Sequence, residues 1–347
     1  MKTHDIYMKR CIELAKNGLG TTYPNPMVGS VIVCDGKIIG EGWHQKSGEA
    51  HAEVNAVNSV KNQSLLKKST IYVSLEPCSH FGKTPPCCDL IIANGIPNVV
   101  VGTVDPNEKV AGNGIKKLLE AGKNVTVGIL EHDCQEINKR FFTFHQKKRP
   151  FVILKWAESL DGFIAPLSKL EQKPVWISNV YSRQLVHKWR SEEQAILVGT
   201  QTVIDDNPKL DVRDWAGKNP VRVVIDAKNR IPKDRHVFDN QTKTIIICTE
   251  KFSGDKENLI FEVIDFTKNI AVQVLDVLYK HQIQSVIIEG GRQTLQTFID
   301  ANLWDEARVF KGNVVLNDGI LAPVLHSKKV DRQMIGEDEL LIFSNHD

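Results

Sequence analysis

Three short segments combine residues that bind zinc with a carboxylate that can move protons. The segments are His51-Ala52-Glu53, Glu76-Pro77-Cys78 and Pro85-Pro86-Cys87. Zinc prefers imidazole and thiolate ligands, and a catalytic site uses three of them and leaves a position for water. We therefore expect His51, Cys78 and Cys87 to hold Zn²⁺. The pKa of a water bound there would fall from about 15.7 to near 7, so hydroxide would be available at neutral pH.

Glu53 lies two residues after His51, at the start of the same predicted helix. At this spacing its carboxylate can face the open position of the metal, take a proton from water and deliver it to a departing amine. The order H-x-E followed by P-C is typical of zinc-dependent nucleobase deaminases, in which the Glu is not a metal ligand. That pattern has two residues between its cysteines, whereas eight separate Cys78 from Cys87. The segments predict hydrolytic deamination with Glu53 as the catalytic residue.

A purely structural zinc site is the alternative interpretation of the same residues. Such a site takes a fourth protein ligand, and His80 and Cys88 are the available candidates. In that case Glu53→Gln would change nothing, whereas a catalytic Glu53 predicts loss of deamination with zinc retained.

Strand patterns alternate with helix patterns around these segments, which predicts a mostly parallel sheet covered on both faces. Asp35-Gly36 joins the first two strands as a hairpin turn. The predicted strands are 28–33, 37–42, 70–75, 98–102 and 125–127, and the predicted helices are 5–17, 49–60, 87–94, 114–120 and 132–146. Cys87 opens one of these helices, where the helix dipole and free amides favour the thiolate form.

The charged run Gln146-Lys147-Lys148-Arg149-Pro150 separates two periodic regions. A chain of 347 residues is long enough for two domains, and we expect them to cover residues 1–147 and 150–347. The pattern of the second region also predicts an α/β domain. Its predicted strands are 151–156, 195–198, 221–226, 244–248, 285–288 and 307–310, and its predicted helices are 179–190, 269–280 and 292–301.

Composition excludes several classes of partner. The 44 basic residues nearly balance the 42 acidic ones, which argues against nucleic acid because its binding requires many phosphates to be neutralised. No apolar run is long enough to span a membrane, so we expect no membrane partner.

The seven cysteines are an odd number, and the first residues lack the apolar core of a signal peptide. These features favour reduced thiols and a cytoplasmic location.

The stretch from Glu76 to Cys87 resembles the deaminase domain of the bifunctional riboflavin-biosynthesis deaminase–reductases, whose eight-residue spacing of the cysteines is distinctive. The likeness extends over almost the whole chain. The other matching segments are Asn25-Pro26-Met27-Val28-Gly29, Gly48-Glu49-Ala50-His51-Ala52-Glu53, Asp105-Pro106-Asn107, Leu160-Asp161-Gly162, Trp176-Ile177-Ser178, Ile196-Leu197-Val198-Gly199, Asp206-Asn207-Pro208 and Glu289-Gly290-Gly291.

The resemblance implies a fold, two activities and their cofactors. It implies an N-terminal cytidine-deaminase-like α/β/α sandwich and a C-terminal dihydrofolate-reductase-like α/β domain. The first domain would deaminate 2,5-diamino-6-(5-phosphoribosylamino)pyrimidin-4-one by zinc-dependent hydrolysis. The second would use NADPH to reduce the ribosyl group to ribityl, giving 5-amino-6-(5-phosphoribitylamino)uracil. The partner is then a small phosphoribosyl pyrimidine, and a homo-oligomer, either a dimer or a tetramer, is expected.

The resemblance also implies the residues of each pocket. In the deaminase pocket they are Asn25, His44, Lys83 and Asn107. The cofactor positions of the second half are Ala157, Trp176, Thr202, Asp206, Gly290, Gly291 and Arg292. Its substrate positions are Lys155, Arg190, Leu210, Arg213 and Glu289. From the residue types, Lys83 can meet a phosphate as a point charge, and Arg190 with Arg213 can hold a sugar phosphate by paired hydrogen bonds.

The second half departs from the family pattern at three places. Pro174 replaces a serine that helps to hold the phosphate, Lys209 stands at a small polar position, and Leu316-Asn317-Asp318-Gly319 replaces a Gly-Gly pair. Lys209 is a candidate to replace the lost phosphate contact. Lys228 and Arg230 are candidates for a 2′-phosphate pocket.

Two alternative functions remain at this point. One is a deaminase whose second half is a degenerate dimerisation or substrate-binding module. The other is a nucleic-acid-editing deaminase, against which the balanced charge argues.

Overall fold

The structure is a computed structural model that describes residues 3–81, 85–107, 111–167, 175–251 and 256–345. The chain divides into two compact units, residues 1–148 and 149–347. The division falls within the charged run that ends at Pro150.

The first unit is a five-stranded sheet between helices. Its elements are α1 (Thr3–Lys16), β1 (Gly29–Cys34), β2 (Lys37–Trp43), α2 (Ala52–Ser59), a 3₁₀ helix (Gln63–Lys68), β3 (Thr70–Leu75), α3 (Cys87–Ala93), β4 (Asn98–Thr103), α4 (Asn113–Glu120), β5 (Asn124–Val127), α5 (Glu131–Ile137) and α6 (Lys139–Lys147). The strand order is β2-β1-β3-β4-β5, with β1 antiparallel to both neighbours and β3, β4 and β5 parallel.

Alternate side chains of these strands enter two separate cores, because successive side chains of a strand point to opposite faces. Ile71 and Val73 pack in a core with residues of α2, α3 and α4. Tyr72 packs on the other side with residues of α1 and α5. The α/β/α sandwich expected for this half is confirmed.

Local sequence patterns correctly predicted the first hairpin of this unit but not its last helices. Asp35 and Gly36 both have positive φ, 49° and 74°, as a type I′ turn requires, so the predicted hairpin is present. The single helix predicted over 132–146 is wrong, because α5 ends and α6 begins around Asn138. The Asn138 side chain accepts a hydrogen bond from Met27 N and donates one to Met27 O, both at 2.8 Å.

The second unit is built on a nine-stranded sheet. Its elements are β6 (Phe151–Glu158), β7 (Phe163–Ala165), α7 (Val180–Glu192), β8 (Ala195–Gly199), α8 (Thr200–Asp206), β9 (Val221–Ile225), a 3₁₀ helix (His236–Phe238), β10 (Thr244–Cys248), β11 (Leu259–Val263), α9 (Ile270–Lys280), β12 (Ser285–Ile288), α10 (Arg292–Asp300), β13 (Glu306–Lys311), β14 (Ile320–Leu321), β15 (Lys329–Ile335) and β16 (Asp338–Ser344). The order is β11-β10-β9-β8-β12-β6-β13-β16-β15, and β7 pairs with β14 separately.

The strands from β11 to β13 in that order are parallel, and helices cover both faces of the sheet. β16 joins β13 antiparallel and carries β15 at the edge. Residues of α9 and α10 pack on one face and Trp189 of α7 packs on the other. The α/β class expected for this half is confirmed, although α8, β7, β11 and the β14–β16 strands were not predicted. No helix in the described part of the chain has the length and apolar character needed to cross a membrane.

Candidate active sites

His51, Cys78 and Cys87 converge at one point of the first unit. Their ligand atoms all lie within 4.8 Å of one another. His51 Nδ1 is 3.6 Å from Cys78 Sγ and 3.4 Å from Cys87 Sγ. Tetrahedral zinc with ordinary Zn–N and Zn–S bond lengths places such atoms about 3.6 Å apart. The spacing and the donor types therefore fit Zn²⁺.

Each of the three residues is fixed by the end of a helix or a strand. His51 precedes α2 with an extended backbone, Cys78 follows β3, and Cys87 is the first residue of α3. The backbone N–H of Cys87 donates to Cys78 Sγ at 3.3 Å, as the free amides of a helix start can. The hydrogen bond from the Cys87 thiol, with a further contribution from His51, lowers the pKa of Cys78 despite its burial.

Glu53 lies in the first turn of α2 and is only 3 % exposed. Burial, together with the charge of Cys78, raises the pKa of Glu53 to about 7. A hydrogen bond with Cys87 acts in the opposite direction and places the carboxyl group beside the ligand cluster. A carboxyl group with this pKa can both accept and release a proton near neutral pH.

Asn25 and His44 meet beside the ligand cluster. Asn25 Nδ2 is 3.1 Å from His44 Nε2, and His44 Nδ1 is 3.1 Å from Ala50 O. These contacts suit a neutral imidazole that donates to Ala50 O and accepts from Asn25. Burial lowers the pKa of His44, which favours this neutral form. The ring of His44 lies 5.3 Å from the ring of His51, centroid to centroid, so both predicted pocket residues adjoin the metal ligands.

Of the other two predicted pocket residues, Asn107 is described and lies on a loop. Asn107 follows β4, and its backbone N–H donates to Asp105 Oδ1 at 2.8 Å. Burial raises the pKa of Asp105 to about 6, with smaller contributions from the negative charges of Glu76 and Cys78. Lys83 lies outside the described residues.

Neither proposed fourth ligand belongs to the described cluster. Cys88 is fully buried, and its thiol donates to Pro77 O at 3.3 Å and to Gly114 O at 3.5 Å. Burial raises its pKa to about 12. His80 is exposed and is not in the group of ligand atoms found among the described residues. The contacts make Cys88 a core thiol and favour a three-ligand site.

Replacing Cys88 by Ser should leave zinc and deamination nearly unchanged. The Ser hydroxyl can donate its single proton to either of the same two carbonyl oxygens, so we expect a change of no more than about twofold in rate. Metal analysis of the purified protein and a deamination assay measure both properties. Cys87→Ser is the matched variant and should lose zinc, whereas loss of zinc in Cys88→Ser would show that Cys88 is a ligand.

The second unit contains a cavity of about 560 Å³, a size typical of small-molecule sites. Most of the predicted reductase residues line it. They are Lys155, Ala157, Trp176, Thr202, Asp206, Glu289, Gly291 and Arg292. Gly290, Arg190, Leu210 and Arg213 are not among its lining residues.

Gly290 does not line the cavity, but its lack of a side chain allows two neighbouring strands to pack closely. A Cβ atom at this position would lie 2.5 Å from Val198 Cα, so β8 and β12 can come this close only next to a glycine. Gly291 has a φ of 56° and immediately precedes α10. The segment therefore places the first backbone amides of α10 at the cavity, where they can bind a phosphate.

A buried charge network connects the cavity with α7. Arg190 Nε and Nη2 donate to Glu289 Oε1 and Oε2 at 3.2 and 2.7 Å, and Arg190 Nη1 donates to Asp211 O at 3.2 Å. Burial opposes ionisation of Glu289, but Arg190 and Lys155 outweigh it and lower its pKa to about 2. Burial lowers the pKa of Lys155. The guanidinium of Arg190 is thus engaged by Glu289.

The segment 210–214 lies beside this network and includes residues that sequence analysis did not single out. Leu210 is buried with a φ of 54°, an uncommon conformation for a bulky residue. Arg213 Nη1 bonds Asp211 Oδ1 at 2.7 Å, and Arg213 N donates to His187 Nδ1 at 3.3 Å. His187 is buried three residues before Arg190, so both share one face of α7. This i, i+3 spacing was the signal available in the sequence.

The departures from the family pattern have different structural outcomes. Asn317 adopts a left-handed φ of 63°, which Asn tolerates better than most residues, and its N–H donates to Asp161 Oδ2 at 2.7 Å. The turn therefore forms without a Gly-Gly pair. Lys209, Lys228 and Arg230 are exposed and do not line the cavity. Pro174 lies outside the described residues.

Replacing Glu289 by Gln should lower the free energy of unfolding of the second unit by about 3–5 kcal/mol at pH 7, because Arg190 and Lys155 lose a buried partner. The pKa of Glu289 is depressed, so its stabilising effect is complete above its ordinary value of 4.5 and is lost as the pH falls towards about 2. Urea unfolding at several pH values, followed by tryptophan fluorescence, measures this difference.

The matched variant is Asp234→Asn, because the Asp234 side chain is 75 % exposed and should contribute little. An equal effect of both substitutions would contradict the buried network. All tryptophans except Trp43 lie in the second unit, so the fluorescence change reports mainly on that unit.

Comparison with known proteins relates both units to known families. A family profile described as "Cytidine and deoxycytidylate deaminase zinc-binding region" matches residues 1–103. The profile "RibD C-terminal domain" matches residues 150–320. The riboflavin biosynthesis protein RibD of Aquifex aeolicus is 38 % identical over 98 % of each chain. The chain belongs to the RibD family.

Other RibD proteins support the same assignment. RibD of Escherichia coli is 36 % identical and covers 88 % of this chain and 86 % of its own. A crystal structure from Thermotoga maritima, named a diaminohydroxyphosphoribosylaminopyrimidine deaminase/5-amino-6-(5-phosphoribosylamino)uracil reductase, has a TM-score of 0.88 at 37 % identity and covers 99 % and 98 % of the two chains. Acinetobacter baumannii RibD has a TM-score of 0.89 at 33 % identity, over 99 % and 98 %.

Family membership confirms several predictions from the sequence. The protein is a bifunctional deaminase and reductase of riboflavin biosynthesis. The two expected cofactors, zinc and NADPH, are those of the two matched domains. Neither the deaminase with a degenerate second half nor the nucleic-acid-editing deaminase is supported by these matches.

Proposed function

We propose that the first unit deaminates 2,5-diamino-6-(5-phosphoribosylamino)pyrimidin-4-one and that the second reduces the product with NADPH to 5-amino-6-(5-phosphoribitylamino)uracil. The observation that carries the proposal is the convergence of His51, Cys78 and Cys87 beside the buried Glu53. The cavity lined by Lys155 and Glu289 supports the second step. The cytoplasmic location and the homo-oligomer stay predictions.

In the proposed deamination, His51, Cys78 and Cys87 would hold zinc, which when bound lowers the pKa of a water molecule to near 7. Glu53 would accept a proton from the attacking water and pass it to the amine that leaves C2 of the pyrimidine. Its buried position and its pKa of about 7 suit both transfers. Asn25 and His44, which already contact each other, would bind the ring edge.

In the proposed reduction, Trp176, Thr202, Gly291 and Arg292 would hold the cofactor along the cavity. When bound there, NADPH would supply the hydride for the sugar carbon C1′. As the bond between C1′ and the ring oxygen breaks, that oxygen needs a proton, and Lys155 Nζ would provide it. The negative charge of Glu289 interacts with the positive charges of both Arg190 and Lys155. This electrostatic attraction would keep Lys155 near the sugar.

A time course on the diaminopyrimidine nucleotide, with and without NADPH, tests the proposal by mass spectrometry. We expect the deaminated nucleotide to accumulate without NADPH and the ribityl product to appear only with it. If the protein deaminates the substrate but oxidises no NADPH when supplied with the deaminated nucleotide, the proposed second step is wrong. If neither product appears with zinc-loaded protein, the proposed substrate is wrong.

A further inference from the structure

The Glu-Pro-Cys segment contains a buried carboxylate that the proposed mechanism does not use. Glu76 is 5 % exposed and lies two residues before the ligand Cys78. Its backbone N–H continues the pairing of β3 with β4, because it donates to Thr103 O at 2.9 Å. Its side chain reaches the next segment of the chain, which runs from Asp105 into α4.

Four backbone amides of that segment donate to the Glu76 carboxylate. Oε2 accepts from Gly112 N at 2.9 Å and from Asp105 N at 3.3 Å. Oε1 accepts from Gly114 N at 2.8 Å and from Ile115 N at 3.3 Å. Hydrogen bonds to a carboxylate are roughly twice as strong as those between neutral groups. One oxygen therefore ties Asp105 to Gly112, and the other fixes the start of α4.

Close packing at Gly114 reinforces this connection. A Cβ atom at Gly114 would lie 2.1 Å from Pro77 O, so α4 can approach the Glu-Pro-Cys segment only because residue 114 is glycine. The Cys88 thiol donates to the carbonyl oxygens of both Pro77 and Gly114. The contact thus joins a metal-ligand segment to α4 without using a ligand atom.

We propose that Glu76 is a positioning residue of the deaminase, which holds the segment of Asp105 and Asn107 in place beside Cys78. The tether is short, since only Pro77 separates Glu76 from the ligand residue. Asn107 N bonds the Asp105 carboxylate, so fixing Asp105 N also fixes the backbone of Asn107. This inference rests on the proposed function, because it takes Asn107 as a substrate residue.

The test is Glu76→Gln in the full-length, zinc-loaded enzyme. The Gln amide group would face two N–H donors that now meet an oxygen, so the segment should shift. We expect KM for the diaminopyrimidine nucleotide to rise on the order of tenfold or more, with a smaller change in kcat. Zinc content and NADPH oxidation on the deaminated nucleotide should stay at the wild-type level. Glu120→Gln on α4, with a 66 % exposed side chain, is the matched control and should change none of these quantities.

A double-mutant cycle separates positioning from a general structural role. If Glu76 acts through Asn107, Glu76→Gln should add little to the rise in KM caused by Asn107→Ala. An unchanged KM in Glu76→Gln, or additive effects in the cycle, would overturn the inference. Gly114→Ala disturbs the same contact from α4 and should raise KM likewise, so the test holds even if Glu76→Gln does not fold. Absence of deamination in the wild type would instead refute the proposed function.

Discussion

Glu53→Gln is expected to abolish deamination while zinc stays bound. The amide has nearly the shape of the carboxyl group and fits the same buried space in α2, but it cannot take up a proton from water. Because proton transfer by a positioned group contributes roughly 10²- to 10⁴-fold, we expect the rate to fall on the order of a thousandfold. The measurement is the rate of release of the pyrimidine amine, together with the zinc content of the purified variant.

Glu49→Gln provides the control for this substitution. Its side chain is 52 % exposed and forms a distant pair with Lys46 at 3.7 Å. This variant should keep the wild-type rate of deamination, and both variants should oxidise NADPH normally with the deaminated nucleotide. Near-normal deamination by Glu53→Gln would eliminate Glu53 as the proton carrier and would revive a structural role for the zinc.

The second large effect is expected for Lys155→Met in the reductase. Lys155 lines the cavity, and Glu289 remains paired with Arg190 by two hydrogen bonds when the ammonium group is removed, so the fold should persist. Loss of the proton donor should lower kcat for NADPH oxidation by roughly a hundredfold or more. Deamination should be unaffected, and the rate of NADPH oxidation measured by absorbance gives the result.

Lys280→Met is the matched control, because Lys280 is 69 % exposed on α9 and pairs with Glu262 at the surface. It should reduce at the wild-type rate. If Lys155→Met reduces the deaminated nucleotide as fast as the control, Lys155 is a structural lysine and another group must protonate the sugar.

Much of the deaminase site could be predicted because its signals are local. The residue types of His51, Cys78 and Cys87 indicate zinc, and their positions at helix and strand ends follow from capping and turn patterns. The Asp35-Gly36 hairpin was likewise predictable, since its two positive φ values suit these residues. The break at Asn138 was not, because its cause is a pair of hydrogen bonds to Met27, which is far away in the sequence.

The reductase site was predicted through resemblance more than through residue chemistry. A single Gly-Gly pair is weak evidence by itself, and only the 2.5 Å approach to Val198 explains Gly290. By itself, Arg190 would more often be a solvated surface charge than a phosphate ligand. Its engagement by Glu289 depends on the neighbouring positions of α7 and the end of β12, which no spacing along the chain reveals.

The sequence alone predicted the metal donor set, Glu53 as the proton carrier and the α/β character of both halves, since these predictions follow from side-chain chemistry and short-range periodicity. Only the tertiary structure decided that Cys88 is a core thiol, that Glu76 binds four amides, and that Arg190 and Lys155 share Glu289. The physical reason is that burial and hydrogen-bond partners are set by elements distant in the chain. Residues of the same type therefore take different roles, such as metal ligand, core residue or ion-pair partner, according to which elements pack against them.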